Sequence, residues 1–165
     1  MPELSRRVQT FTDSVIRRMT RISDEVDAIN LSQGFPDFPP PKAITDRLRE
    51  VADEGPHQYS VTFGAENFRE ALARKQGRAY GREINPDTEI LVTCGGTEAM
   101  MSAMMTVCNP GDKVIVFSPF YENYGADAIL SGADPIFVPL VPPTFGFDRN
   151  VLEDAFRQHP KAIIV

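Results

Sequence analysis

Between residues 89 and 165, short apolar runs take turns with segments of helical periodicity, and this alternation restricts the chain to one kind of architecture. The runs fall at residues 89–94, 113–118, 135–140 and 161–165, and the helical segments at 97–108, 122–130 and 148–158. Strands separated by helices return to the same end of a sheet, so the strands run mostly parallel and helices cover both faces. The expected fold class is α/β: an α/β/α sandwich with a mostly parallel sheet. In the segment 97–108, Ala99, Met100, Met101, Ala103, Met104, Met105, Val107 and Cys108 leave almost no polar face, so this helix is expected to be buried on all sides. Its methionines read as core packing and not as a metal or cofactor box. The run 161–165 reads as a central strand with nothing after it to cover the sheet, which leads to the expectation that the polypeptide continues and that this chain is a fragment.

Upstream, Val8, Phe11, Val15, Met19 and Ile22 recur at helical spacing and predict a docking helix or arm over residues 8–22. Four prolines and Gly34 then exclude regular helix from residues 29–41. Pro41 suits the first turn of a following helix, with Ile44, Leu48, Val51 and Ala52 on one face and Gly55-Pro56 as its stop. A further helix is expected over 66–80, with Phe68, Ala71, Leu72 and Ala79 inward and Gly81 ending it.

Composition removes several classes of function. The 165 residues, 42% of them hydrophobic, suffice for one core of ordinary size, hence one domain or one domain plus an arm. A net charge of -6 lacks the attraction that drives nonspecific binding to nucleic acid or anionic lipid, so neither nucleic acid nor membrane is an expected partner. No stretch approaches the roughly 20 apolar residues of a membrane span, and no apolar signal region opens the chain, so a cytoplasmic location is expected. Arg6, Arg7, Arg17, Arg18 and Arg21 are interspersed with Glu3, Asp13, Asp24 and Glu25, a solvated face and not an acid-poor transit peptide. Cys94 and Cys108 form no C-x-x-C pair and, with two histidines, no zinc set; both are expected reduced and buried. His57 and His159 adjoin prolines and read as surface loop residues.

Three segments could carry chemistry. Thr93-Cys94-Gly95-Gly96-Thr97-Glu98-Ala99 lies where a strand hands over to a helix; its glycines allow close backbone approach, Thr97 can cap, and free N–H groups there favour an anion such as phosphate. A tight turn with an ordinary cap explains the same residues, and the motif on its own favours that plainer reading. Neither Gly-x-Gly-x-x-Gly nor the Gly-Lys-Ser/Thr phosphate loop occurs, so a phosphate held here belongs to another cofactor. Ser118-Pro119-Phe120-Tyr121-Glu122-Asn123-Tyr124 follows the next strand, at the carboxyl edge where ligands of parallel sheets bind; its rings could stack on a planar heterocycle or form a hydrophobic plug. In Gln58-Tyr59-Ser60-Val61-Thr62-Phe63-Gly64, Tyr59 could donate its hydroxyl to a phosphate or simply lie on the surface. Gly34 could offer its N–H to a substrate or permit a turn.

Together, in this order, the segments resemble class I/II aminotransferases of fold type I. The resemblance runs from about Ile29 to the end of the chain. Leu31-Ser32-Gln33-Gly34-Phe35-Pro36-Asp37-Phe38 resembles the family's N-terminal substrate loop, and His57-Gln58-Tyr59-Ser60 with residues 64–73 its Tyr-x-x-x-x-Gly…Leu-Arg segment. Residues 92–99 resemble the phosphate-cup turn, and Asn109-Pro110-Gly111-Asp112-Lys113-Val114 the Pro-Gly-Asp-x-Val lead into the next strand. Among subfamilies, the kynurenine or glutamine transaminase group is the most similar in its Gln-Gly-Phe-Pro-Asp-Phe and Pro-Phe-Phe-like motifs. The resemblance implies pyridoxal 5'-phosphate as cofactor, with its phosphate on Gly95, Gly96 and Thr97 and its ring under Tyr121. It further implies a homodimer in the full-length protein, in which Tyr59 reaches the other subunit's cofactor phosphate, and Gly34 beside the substrate carboxylate. Residues 1–40 would form the arm and substrate loop, and 41–165 part of the large cofactor-binding domain.

The family's ring-side asparagine, its aspartate on the pyridine nitrogen, its Schiff-base lysine and its carboxylate-binding arginine match nothing here. Lys42, Lys75, Lys113 and Lys161 fit no Schiff-base motif, so no catalytic residue is assigned. The implied function is transfer of an amino group between an amino acid and a 2-oxo acid, with the isolated chain inactive. A carbon–sulfur β-lyase on the same scaffold, or a noncatalytic binding domain that retains the fold, are the alternatives.

Overall fold

The consecutive β-branched residues Val114-Ile115-Val116 send apolar groups to both faces of a strand, and both faces then need cover. The computed structural model, which describes residues 3–9, 13–55, 57–59 and 61–165, supplies it. In chain order the elements are a 3-10 turn at Arg6–Val8, α1 (Val15–Glu25), α2 (Lys42–Glu54), α3 (Glu66–Tyr80), α4 (Gly96–Val107), β1 (Lys113–Ser118), α5 (Asn123–Leu130), β2 (Asp134–Val141), β3 (Gly146–Phe147), α6 (Arg149–Phe156) and β4 (Ala162–Ile164). They fall into two compact units, one of Val15–Val92 and one of Met1–Ser14 with Thr93–Val165.

The second unit contains the sheet, in the order β3-β2-β1-β4. β1 pairs in parallel with β2 and with β4, while the two-residue β3 folds back antiparallel on β2. The α/β class and the mostly parallel sheet are as expected. Period-two alternation divides the core. Val114 and Val116 pack with Met104, Cys108, Ala128, Ala133 and Ile164 on the face of α4 and α5, whereas Ile115 packs with Val138 and Ala155 on the face of α6. Asp148 starts α6 by accepting the Asn150 N–H at 2.8 Å.

Several expectations need correction in this unit. β4 was expected to be central, but it pairs only with β1 and stands at the edge among the described residues. α4 is not buried all round. It meets the core through the stripe Met100, Met104 and Cys108, while Ala103, Met105 and Val107 on its other sides are exposed, because one sheet face and α5 cover one side of a helix only. Cys108 is buried as expected and Cys94 is exposed, since it precedes the helix in the open turn. The run 89–94 forms no strand: it has no ladder partner among the described residues, and the Val92 N–H donates to the Phe63 carbonyl at 3.1 Å instead.

In the other unit α3 spans the expected residues, and Gly81 ends it in the left-handed conformation at φ 65°. Its inward side differs from expectation. Arg69 and Ala73 are buried while Phe68, Ala71 and Ala79 are exposed, because the Arg69 guanidinium turns inward to bond the Gly64 and Pro86 carbonyls and Asp87. On α2, Ile44, Leu48 and Val51 are exposed among the described residues, so the predicted face finds no cover. Pro41 precedes α2 as its cap, and Gly55 at φ 43° follows it; the Pro56 half of the predicted stop lies outside the described residues. The single helix predicted over 8–22 is replaced. A 3-10 turn closes at the front, with the Gln9 N–H on the Arg6 carbonyl, and α1 begins only at Val15; Phe11 of the predicted stripe lies outside the described residues.

Replacing Ile115, fully buried between β1 and α6, by alanine is expected to cost about 2–5 kcal/mol. The same change at half-covered Ile163 on the sheet edge should cost clearly less. Denaturant midpoints of the two variants check the ordering.

Candidate functional site

The turn before α4 and the turn after β1 border one cleft. Gly95 occupies the cap position of α4 at φ 88° and ψ 173°, a conformation that side-chain-bearing residues avoid. It makes no side-chain cap bond, so the first-turn amides of the 12-residue helix keep their N–H groups without intrahelical partners and point their partial positive charge outward. Thr97, expected to cap, stands one residue inside the helix. Its Oγ1 accepts from Asn123 Nδ2 at 2.6 Å, and Glu98 supports the turn by accepting the Cys94 N–H. A methyl group built on Gly95 or on Gly96 would meet no atom within 4 Å. Backbone conformation explains glycine at 95; nothing in the protein explains it at 96, where the missing side chain leaves space for something else.

That space belongs to a cleft of about 280 Å³ lined by Gly96, Thr97, Met100, Tyr121, Asn123, Tyr124 and Asp127. Its size is just below the common range for ligand pockets, about 300–1,000 Å³. The three rings after β1 divide the two roles open to them. Phe120, 37% exposed, stacks on Phe137 at 5.2 Å and 5°, beside Gly125, where an added methyl would come within 3.2 Å of the ring. Tyr124 packs against the core and meets Tyr121 edge-on at 5.7 Å. Tyr121 keeps 53% of its surface exposed and presents a ring beside the helix start.

Among the described residues no lysine, arginine or histidine lines the cleft, so attraction for an anion comes from the amides of α4. One acidic group lies in its floor. Asp127 is 2% exposed, its Oδ2 has no hydrogen-bond partner, and burial pushes its carboxyl above the usual aspartate range. Sequence reading missed both Asp127 and Asn123. The signal was present in their spacing: two polar residues one helical turn apart in an otherwise apolar segment.

Tyr59 and Gly34 belong to the other unit. Tyr59 is 98% exposed with φ 37°, so its ring has no packing role among the described residues; its neighbour Ser60 lies outside them. Gly34 lies in an irregular stretch and has neither a positive φ nor any atom within 4 Å of an added methyl, so a required turn is not the reason for glycine there. Asn30 orders that stretch, its Oδ1 accepting the Ser32 N–H at 2.9 Å and the Ser32 hydroxyl at 2.7 Å. Arg69, also missed, ties the Gly64 carbonyl at 3.1 Å to Asp87 at 2.7 Å. Among the described residues no cluster of histidine, cysteine and carboxylates could hold a metal ion, and no helix is long and apolar enough to cross a membrane.

A mostly parallel sheet with helices on both faces is the layout of fold type I transferases, and comparison with known proteins agrees on the fold. The family model "Aminotransferase class I and II" matches residues 26–165, and the chain belongs to that family. Methionine aminotransferase of Escherichia coli is 38% identical over 92% of this chain and 39% of its own length. Kynurenine–oxoglutarate transaminase 3 of Mus musculus is 33% identical over 98% and 38%. The solved structure of N-succinyldiaminopimelate aminotransferase from Mycobacterium tuberculosis superposes with a TM-score of 0.88 at 32% identity, covering 99% of this chain and 43% of that one. The chain therefore spans about two fifths of the length of the curated relatives it matches. Pyridoxal phosphate is the cofactor of this class of enzyme.

Two stability measurements separate ligand space from folding need. Gly96→Ala should change unfolding free energy by no more than about 0.5 kcal/mol, while Gly95→Ala, forced to a positive φ, should lose more than that. Asp127 contributes the opposite sign to the usual carboxylate: its folded-state pKa is raised, so stability is full at low pH and declines as pH rises through that value. Thermal melts across pH should show the decline, and Asp127→Asn should remove it.

Proposed function

We propose that the protein transfers an amino group between an amino acid and a 2-oxo acid, with Gly95, Gly96, Thr97 and Tyr121 as its cofactor-binding residues. The observation that carries this reading is the unfilled space at Gly96, bounded by the α4 amides on one side and the exposed Tyr121 ring on another. Both features suit pyridoxal phosphate: a helix N-terminus for the ester and an aromatic face for the heterocycle. When bound, the cofactor supplies the electron sink that lets a proton leave the amino acid's α-carbon.

The residues of this chain bind and orient. The first-turn amides of α4 would hold the phosphate oxygens, Thr97 would add a hydroxyl whose position is fixed by Asn123, and Tyr121 would cover one face of the ring. Tyr59, 98% exposed and without packing duties among the described residues, is placed to reach a phosphate in a second subunit, which makes a homodimer part of the proposal. Gly34 would lend its N–H to the substrate carboxylate. Residues 1–40 would act as arm and substrate loop, and 41–165 as part of the large domain. No lysine lines the cleft, and Lys42 and Lys113 are paired with Asp46 and Asp134. These 165 residues are therefore expected to bind cofactor without turnover.

Pyridoxal phosphate added to the chain should bind with a change in its near-ultraviolet absorbance, and amino donors with 2-oxo acids should give no product. Robust turnover by these residues alone would refute the division of labour. Tyr121→Ala should weaken cofactor binding about 2- to 10-fold, the worth of one ring stack. Gly96→Val should weaken it more, by filling the space the ester needs.

A further inference from the structure

The floor of the cleft holds a group that the cofactor-binding roles leave unused. Asp127 lies on α5 one turn beyond Asn123, whose amide holds Thr97 Oγ1 at 2.6 Å. It lines the same cleft as Gly96 and Tyr121, is 2% exposed, and offers an Oδ2 with no hydrogen-bond partner. That oxygen has lost its water and gained no donor. The charges on the elements packed against α5 do not compensate it. α4 carries only Glu98, engaged by the Cys94 N–H; Lys113 of β1 and Asp134 of β2 pair with each other at 2.8 Å. The turn Arg6–Val8 brings Arg6 and Arg7, and Arg7 donates to the Leu130 carbonyl at 3.2 Å. Next to and within α5 stand Glu122, which accepts the Ser14 hydroxyl, and the phenols Tyr121 and Tyr124.

A phosphate dianion at the start of α4 would face an ionised Asp127 across a cleft without a cation. Two like charges facing each other disfavour ionisation of both, and the buried one of the pair is the one that keeps a proton. We propose that Asp127 is a further binding residue of the phosphate cup that works as the neutral acid, so that a phosphate ester is held together with a proton on Asp127 and loosened when that proton leaves. This rests on the cup reading above and adds its control by pH. Below the folded-state pKa of Asp127 the anion binds fully; as pH rises through that value affinity falls, and binding there draws one proton from solvent onto the carboxyl. By reciprocity the bound anion raises the same pKa further.

Inorganic sulfate is the probe, because it stays a dianion at every pH above the ordinary carboxylate range, so its own charge does not change while Asp127 titrates. It is titrated calorimetrically into the cofactor-free full chain, into Asp127→Asn and into Gly96→Val. The expected result is an affinity that falls with rising pH in the unmodified chain, by up to about tenfold per unit, and stays level in Asp127→Asn. Heats in buffers of different ionisation enthalpy should show proton uptake by the unmodified chain, a readout that needs no variant to fold. Equal pH profiles in both proteins, or no proton uptake at any pH tested, would overturn the role of Asp127. Sulfate binding absent throughout, or unaffected by Gly96→Val, would instead overturn the cup itself and this proposal with it.

Discussion

Burial of β1 on both faces is the constraint from which the rest of the sheet-bearing unit follows. Val114, Ile115 and Val116 are fully buried, and their alternation forces helices onto each side of the strand. Because β1 runs parallel to both neighbours, the chain must cross over between strands, and the crossover from β1 to β2 lays α5 on the face that α4 also covers. The cleft is where those two helices begin. Its walls, the start of α4 and the turn leading into α5, are therefore held by core packing, and the Asn123–Thr97 hydrogen bond joins one to the other.

Elements defined by their own residues were legible in advance. α3 could be read from Glu66 to Tyr80 because a helical pattern ends at a glycine, and β1 from its unbroken β-branched run. What could not be read was cover. The apolar circumference of α4 announces burial without saying which part of the surroundings provides it, and in the described residues only the Met100, Met104 and Cys108 stripe is packed. The run 89–94 has the composition of a strand, yet a strand exists only with a hydrogen-bonded neighbour, and composition does not supply one. β3 escaped notice because two residues beside a proline turn have no periodicity to detect.

The candidate site divides along similar lines. Gly95, Gly96, Thr97 and Tyr121 stood out as motif residues next to predicted element ends. Asn123 and Asp127 did not, because their importance comes from which face of α5 meets α4. Thr97 was read as a cap from residue type alone; the helix starts one residue earlier, which leaves the hydroxyl to Asn123. The phenylalanine and two tyrosines after β1 are ambiguous between plug and platform in sequence, and the fold packs Tyr124 on the core, stacks Phe120 on Phe137 and leaves Tyr121 exposed.

Gly95 and Gly96 are neighbours that answer to different filters. Damage at Gly95 distorts the backbone, and a chain so distorted is open to proteases and chaperones, which recognise what is unfolded. A methyl group at Gly96 offends no atom of the protein. A chain carrying it would pass cellular quality control, accumulate in full measure, and be exposed as defective only by selection on what the molecule can hold.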